Sequence, residues 1–127
     1  MNSETTVTGV IIVDHGSRRD ESNDLLLDVV QRFADVTPFN IVEPAHMELA
    51  EPDIATAFEA CVARGAKQVV VFPYFLSPGR HWKQDIPALV EAAAFKHPDV
   101  SWTVTAPFGQ HDGMLQIIQE RITEATQ

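Results

Sequence analysis

The fold of this chain is decided by the stretch Val10-Ile11-Ile12-Val13-Asp14-His15-Gly16-Ser17-Arg18-Arg19. Its first four residues are β-branched and uncharged, which is the pattern of a strand buried on both faces of a parallel sheet. A polar segment with one histidine and a flexible glycine follows directly. Because open α/β folds bind their ligands beyond the carboxyl ends of the strands, this histidine is a candidate functional residue.

A second stretch has the same arrangement. The apolar run at residues 69–72 is followed by Pro78-Gly79-Arg80-His81-Trp82-Lys83-Gln84-Asp85, which again combines one histidine with basic residues and a glycine. His15 and His81 are far apart in sequence, and their spacing does not show whether they converge. They meet only if the two strands are neighbours in the sheet.

The apolar periodicity alternates between that of strands and that of helices along the whole chain. We predict strands at about residues 7–14, 40–45, 68–72 and 101–106, each followed by an amphipathic helix. Repeated βα units require right-handed crossovers and a parallel sheet with helices on both faces. The expected fold is therefore a single α/β domain over residues 1–127, with a four-stranded parallel sheet in the flavodoxin-like order 2-1-3-4.

The predicted helix boundaries come from local signals. Leu26, Val29, Val30 and Phe33 form one apolar face of the first helix. Glu51-Pro52-Asp53 is typical of a first helical turn, where a proline is tolerated and acidic groups interact favourably with the helix dipole. Gly65 is expected to end that helix. The third helix is expected at about residues 84–95 and the last at about 112–125.

Composition excludes several classes of partner and site. The chain has 127 residues and a formal net charge of −9, which disfavours binding to nucleic acid or to an anionic membrane. Cys61 is the only cysteine, so no intrachain disulfide or cysteine cluster is expected, which fits a reducing cytoplasm. No signal peptide and no apolar run of roughly 20 residues is present, so we expect a soluble cytoplasmic protein.

The common nucleotide and hydrolase motifs are absent. There is no Gly-x-Gly-x-x-Gly after the first strand, no Gly-x-x-x-x-Gly-Lys-Ser/Thr loop and no Gly-x-Ser-x-Gly elbow. We therefore expect neither a nucleotide cofactor nor a serine nucleophile.

The polar residues at the carboxyl ends of the predicted strands suit a divalent metal. They are His15, Ser17, His46, Glu48, His81 and His111. Neutral imidazole binds first-row transition metals well, and a carboxylate adds charge compensation and a proton acceptor. Each histidine also has a structural interpretation, such as a hydrogen bond to a loop carbonyl, and His111 can equally begin the last helix.

Cations are concentrated beside these histidines. Arg18, Arg19, Arg80 and Lys83 are four of only nine basic residues, and their placement indicates an anionic substrate. The alternative is that they form surface ion pairs with neighbouring acidic residues. The segment Tyr74-Phe75-Leu76 predicts an apolar lip that would suit a flat ligand or a second subunit.

Several segments together resemble the class II sirohydrochlorin chelatases. They are His15-Gly16-Ser17-Arg18, Glu48-Leu49-Ala50-Glu51-Pro52, Gly79-Arg80-His81, Asp85-Ile86-Pro87 and Ala106-Pro107-Phe108-Gly109. Their order and spacing cover nearly the whole chain. Within the family, residues 42–52 and 79–82 are most similar to the plant-type ferrochelatase branch. The chain lacks the cysteine-bearing segment of the plant enzymes, so no iron–sulfur cluster is expected.

The resemblance implies insertion of Co²⁺ or Fe²⁺ into sirohydrochlorin, without nucleotide hydrolysis, in cobalamin or sirohaem biosynthesis. It makes His15 and His81 the metal-holding pair and Glu48 their acidic partner, with no cofactor beyond the metal substrate. Short family members are expected to form homodimers around the tetrapyrrole.

We expect the remaining candidate residues to contact the substrate. They are Ser17, Arg18, Arg19, Arg80, Lys83, His46 and His111. A metal-storage or metallochaperone module remains an alternative function. A histidine-dependent phosphatase is a further alternative, although Asp14 stands where such an enzyme would have arginine.

Overall fold

The structure of the protein, a computed structural model, describes residues 7–77 and 79–127, apart from the side chains at positions 80–82. Strands and helices alternate through these residues. They are β1 (Thr8–Asp14), α1 (Asp20–Val36), β2 (Ile41–His46), α2 (Ile54–Ala63), β3 (Gln68–Pro73), α3 (Arg80–Ala94), β4 (Ser101–Val104) and α4 (Asp112–Thr126).

The strands form one parallel sheet in the order β2-β1-β3-β4, which confirms the predicted architecture and strand order. β1 is central, with Val10 opposite Val42 on one side and Val70 on the other. Ile11 and Val13 are completely buried. The uncharged run at residues 10–13 therefore lies in the middle of the sheet.

Helices cover the two faces of this sheet. On one face, Ile11 and Val71 pack with Phe58 of α2 and Ile86 of α3. On the other face, Val10 and Ile12 pack with Leu26 and Val30 of α1, and Val29 and Phe33 lie partly buried beside them. The predicted apolar face of α1 is confirmed. None of the helices in the described part of the chain has the length and apolar character needed to cross a membrane.

The predicted start of α2 is wrong by a few residues. The helix begins at Ile54, and Asp53 is its N-cap residue, so Glu51 and Pro52 precede the helix and do not form its first turn. The predicted end is confirmed at Gly65, which has φ 102°. The amides of Gly65 and Ala66 donate to the carbonyls of Val62 and Cys61, which is the Schellman arrangement.

The predicted start of α3 is also wrong. The helix begins at Arg80, with Gly79 as its N-cap, so most of the segment predicted as a histidine loop is the first turn of a helix. In the structure Pro87 lies within the helix, where its nitrogen has no hydrogen to donate to the carbonyl four residues earlier.

The Asp53 cap predicts a measurable pH dependence of stability. The amide of Thr56 donates to the Asp53 carboxylate at 2.8 Å, and this hydrogen bond holds the pKa of Asp53 below its ordinary value. We expect Asp53→Ala to lower the free energy of unfolding by about 1 kcal/mol at neutral pH in urea denaturation.

The matched variant is Asp53→Asn, which keeps the cap but removes the charge. Because the wild-type carboxylate has a lowered pKa, its contribution is complete above the unfolded-state pKa and is lost as the pH falls through the folded-state pKa. Asp53→Asn should lose that part of the acid dependence. An unchanged stability in Asp53→Ala would contradict the assigned cap.

Candidate functional site

The candidate site lies where the loops after β1, β2 and β3 meet. β1 and β3 are neighbours whose chain connections leave in opposite directions across the sheet, which makes their carboxyl ends the switch point of the fold. His15 follows β1, Glu48 follows β2, and Phe75 follows β3. The structure thus brings the first two predicted site residues to one edge.

Backbone pairing continues past the strand ends and joins the first two loops. The amide of Met47 donates to the carbonyl of Asp14 at 2.9 Å, and the amide of Glu48 donates to the carbonyl of His15 at 3.2 Å. On the other side, the amide of Tyr74 donates to Val13 at 2.7 Å. The positions of His15 and Glu48 are therefore set by the sheet.

Gly16 allows this close approach. It has φ 94°, and a Cβ atom at this position would lie 1.9 Å from the carbonyl oxygen of Glu48. Both the left-handed backbone and the contact exclude a side chain. The glycine that the sequence presents as a flexible loop residue is a packing requirement between the two loops.

A buried hydrogen bond supports the same loops from below. The Nδ1 atom of His46 lies 2.5 Å from a carboxylate oxygen of Asp14, and His46 is only 1% exposed. A carboxylate accepts hydrogen bonds only, so the imidazole donates from Nδ1. His46 thus holds the end of β2 against the residue before His15.

The space above these loops is a cleft of about 650 Å³. This volume is within the range of small-molecule sites. Its polar lining includes His15, Glu48 and Asp85, and its apolar wall includes Phe75 and Leu76. The remaining lining residues are Met47, Tyr74, Ser77 and Gly79. The predicted apolar lip is therefore a wall of the cleft that contains His15 and Glu48.

Phe75 contacts the candidate metal ligand directly. The ring centroids of His15 and Phe75 are 5.7 Å apart at an interplanar angle of 57°. His15 is otherwise exposed, as is Glu48. An exposed imidazole and an exposed carboxylate beside an aromatic wall can exchange a cation with solvent and contact a flat ligand.

The segment after His15 is ordered by its own polar contacts. The side chain of Asn23 accepts from the amide of Ser17 at 3.0 Å and donates to its carbonyl at 2.8 Å. The Ser17 hydroxyl accepts from the amide of Arg19 at 3.0 Å. Arg18 and Arg19 are exposed at the start of α1, so their charges face solvent beside the site.

The second histidine segment is only partly described. His81 and Arg80 are predicted site residues whose side chains lie outside the described residues, so their contacts stay predictions. Position 81 belongs to the first turn of α3, next to the cleft residue Gly79. Lys83 is exposed on the same helix.

His111, a predicted substrate-binding residue, is not among the residues that line this cleft. His111 is the N-cap of α4, where its Nδ1 atom accepts from the amide of Gly113 at 2.9 Å. It lines a separate small cavity with Phe72 and Phe108. The structural interpretation of His111 as a helix start is thus confirmed, while substrate contact by His46 or His111 stays a prediction.

Sequence reasoning missed Asp85 and Met47 as cleft residues. Asp85 follows position 81 by four residues, and this spacing places two positions on one face of a helix. A helix predicted from Arg80 would have shown that relation. Among the side chains that the structure describes, no group of three His, Cys, Asp or Glu residues is close enough to hold a metal ion.

The fold and cleft define an open parallel α/β protein with a histidine and carboxylates at the switch point of its sheet. Residues 9–125 match the family model CbiX. The chain belongs to the CbiX family, and the resemblance to sirohydrochlorin chelatases is confirmed.

Relatives of this chain include enzymes named for both metals. It is 55% identical over 114 residues to the chloroplastic sirohydrochlorin ferrochelatase of Arabidopsis thaliana, covering 90% of this chain and 51% of that protein. It is 35% identical over 117 residues to a sirohydrochlorin cobaltochelatase of Priestia megaterium, covering 91% of this chain and 38% of that protein. The chain thus spans about half or less of these relatives.

A solved structure has the same fold. SirB from Bacillus subtilis with Fe³⁺ superimposes with a TM-score of 0.85 at 28% identity, covering 93% of this chain and 47% of that one.

The contact at Gly16 predicts an unequal effect of two alanine substitutions. Gly16→Ala should lower the free energy of unfolding by roughly 2 kcal/mol or more, because the new methyl group must displace the Glu48 carbonyl. Gly65→Ala is the matched control, since it also has positive φ but no atom within 4 Å of its Cβ. It should lose only about 1 kcal/mol.

Amide hydrogen exchange gives a local measurement. In Gly16→Ala the Glu48 amide should lose protection, because its bond to His15 is broken, whereas in Gly65→Ala it should keep it. Equal stability losses with an intact Glu48 amide would show that the two loops are not held together at Gly16.

Proposed function

We propose that this chain inserts a divalent metal, Co²⁺ or Fe²⁺, into sirohydrochlorin without nucleotide hydrolysis. The observation that supports this most is the convergence of His15 and Glu48 beside the Phe75 wall, at the sheet edge where α3 begins. Membership of the CbiX family and relatives named as sirohydrochlorin chelatases support the same reaction. The reaction serves cobalamin or sirohaem biosynthesis.

The chemistry follows from what insertion requires. A divalent ion must lose part of its water shell, be presented to the macrocycle, and replace the pyrrole protons. We assign metal delivery to His15 and His81, because imidazoles bind first-row metals yet release them. Glu48 compensates the charge and accepts protons from the macrocycle. Asp85, which lines the same cleft, is a second carboxylate within this site.

The macrocycle is held by surfaces of two kinds. The wall formed by Phe75, Leu76 and Tyr74 provides apolar contact for its flat face. Its carboxylate side chains are contacted by cations around the cleft. These are Arg18, Arg19, Arg80 and Lys83, with Ser17 as a neutral donor. The exposure of Arg18, Arg19 and Lys83 is consistent with binding an anionic ligand from solution.

His46 and His111 have supporting parts in this proposal. His46 is a positioning residue, because its buried bond to Asp14 orients the loop that presents His15. His111 begins α4 and acts on substrate carboxylates only if the tetrapyrrole extends past Phe108. The protein works as a homodimer with the tetrapyrrole as its ligand and needs no nucleic acid or membrane. We propose the cytoplasm as its compartment, although the Arabidopsis relative is chloroplastic.

The proposed metal pair predicts the effect of removing either imidazole. His15→Ala and His81→Ala should each slow metal insertion by about 10²-fold or more, because each removes one ligand of the proposed metal pair. Anaerobic incubation with sirohydrochlorin and Co²⁺ or Fe²⁺, followed by absorbance, measures the rate.

The matched control is His97→Asn. His97 bonds to Glu59 at 2.7 Å and stacks on Phe58, away from the cleft, so insertion should proceed as in the wild type. Near-wild-type insertion by His15→Ala would overturn the assigned site. Metal binding without a change in the macrocycle spectrum of the wild-type protein would instead support a metallochaperone.

A competition experiment measures which of the two metals the protein inserts faster. The affinity of such a site for divalent metals follows a general series that depends more on the ion than on the protein. A binding measurement alone therefore does not show which metal the protein inserts. Anaerobic reactions with both ions present, analysed by the spectra of the two products, give the ratio of insertion rates. The proposal predicts that, for at least one of the two ions, insertion into sirohydrochlorin is faster with the protein than without it.

A further inference from the structure

Leu49 has a strained backbone conformation beside the candidate site. Its φ is 73°, and among the residues that the structure describes it is the only one other than glycine with a positive φ. In the left-handed region the Cβ atom of an L-residue crowds the following carbonyl oxygen, so a bulky leucine is unfavourable there. Glycine or asparagine adopts this conformation more readily.

The loop that contains Leu49 is closed at both ends. The amide of Glu48 donates to the carbonyl of His15 at 3.2 Å, and the amide of His46 donates to the carbonyl of Pro52 at 2.9 Å. A chain held at both of these points has to turn back within a few residues, which explains a left-handed residue in the loop. The turn does not explain why that residue is a leucine.

The hydrophobic core does not require this leucine. Leu49 is 53% exposed, and it belongs to neither of the two core clusters that the described residues form on the faces of the sheet. Burial of its side chain therefore offsets little of the strain. Strained residues are concentrated at binding and catalytic sites, where the strained conformation serves the function.

Leu49 and Leu76 occupy corresponding positions on the two sides of His15. β1 lies between β2 and β3, and His15 follows the last residue of β1. Leu49 lies three residues after the end of β2, and Leu76 lies three residues after the end of β3. Leu76 is 68% exposed. Because neighbouring strands are about 4.8 Å apart, the two loops leave the sheet about 10 Å from each other.

We propose that Leu49 is a substrate contact, so that the tetrapyrrole lies across the end of β1 between the side chains of Leu49 and Leu76. A separation of about 10 Å between the two loops is of the order of the width of a tetrapyrrole ring. His15 then lies under the middle of the macrocycle, where the metal enters. The contact rests on the proposed function, since its ligand is the substrate of the proposed reaction.

Leu49 supplies an apolar contact on the side of the cleft opposite its aromatic wall. The loop after β2 contributes Met47 and Glu48 to the lining of the cleft. Met47 is partly buried against the core, and Glu48 is charged. The next residue of this loop, Leu49, is an exposed apolar group that a macrocycle extending beyond the cleft would reach.

The closed loop lowers the entropic cost of this contact. Because the loop is bonded at both ends, Leu49 is in place before the ligand arrives, and little conformational freedom is lost on binding. Covering a half-exposed leucine also removes apolar surface from water. Both effects increase the affinity for the macrocycle, and neither acts on its reacting nitrogen atoms. We therefore expect Leu49 to affect KM and not kcat.

Two substitutions separate the leucine side chain from the backbone conformation. Leu49→Asn and Leu49→Gly both accept a positive φ, so each keeps the turn while it removes the apolar group. Both should raise KM for sirohydrochlorin about tenfold, with kcat changed by less than about twofold. Leu49→Asn should keep the melting temperature or raise it by up to about 5 °C, because the strain is relieved.

Two further variants are controls. Leu49→Met keeps an apolar side chain on the same strained backbone, so KM should stay within about twofold of the wild type. Leu27→Asn removes a leucine that is 46% exposed in α1, a helix that contributes none of the described residues lining the cleft. It should leave KM unchanged and lower the melting temperature slightly, because asparagine is a poorer helix former than leucine.

Initial rates of anaerobic insertion at varied sirohydrochlorin concentration give KM and kcat, and thermal unfolding gives the melting temperature. An unchanged KM in Leu49→Asn and Leu49→Gly would show that the substrate does not reach this residue. A lowered melting temperature in both variants would show that the fold requires the leucine. Either result overturns the proposed contact.

An absorbance titration with metal-free sirohydrochlorin separates this contact from metal insertion. If the wild type inserts metal and the Leu49→Asn variant binds the macrocycle as tightly as the wild type, the contact is overturned and the proposed function is intact. If the wild type binds the macrocycle about tenfold more tightly than Leu49→Asn but inserts no metal, the contact is supported and the proposed function is contradicted.

Discussion

The parallel pairing of β1 with both neighbours is the constraint on which the rest of this structure depends. The ladder on each side continues beyond the strand ends, through the bonds from Met47 to Asp14, from Glu48 to His15, and from Tyr74 to Val13. A loop that continues a ladder has little freedom of its own. The backbone at His15, Glu48 and Tyr74 is therefore positioned by the most buried part of the molecule.

Two local features make this continuation possible. Gly16 removes the side chain that would collide with the Glu48 carbonyl, and the buried pair of His46 and Asp14 satisfies polar groups at the ends of β1 and β2. An unpaired imidazole at 1% exposure would be costly, so the pair stabilises the loops that it joins. Gly16 and the His46–Asp14 pair thus fix the loops that contain His15 and Glu48, and precise positioning of a site requires such contacts.

The predicted strands and helices are confirmed where the apolar periodicity is strong. The predicted starts of α2 and α3 are displaced by a few residues. The strands and the apolar face of α1 follow from side-chain periodicity alone. The start of α3 was predicted about four residues too late, because its N-cap residue, Gly79, has no capping side chain that marks a helix start in the sequence. Because of this late start, the sequence did not indicate Asp85 as a site residue. Its four-residue spacing from position 81 places both on one helix face only if the helix begins at Arg80.

By itself the sequence determined the class of fold, and it indicated the candidate site residues His15 and Glu48 and the apolar lip, because apolar periodicity and residue chemistry are local properties. Only the tertiary structure decided that His46 is buried against Asp14, that His111 caps α4 outside the cleft, and that α4 has no buried residue. The reason is that burial and hydrogen-bond partners depend on which segments the sheet brings together. Strand order decides which residues that are distant in sequence become neighbours in space. Local periodicity gives no information about that order.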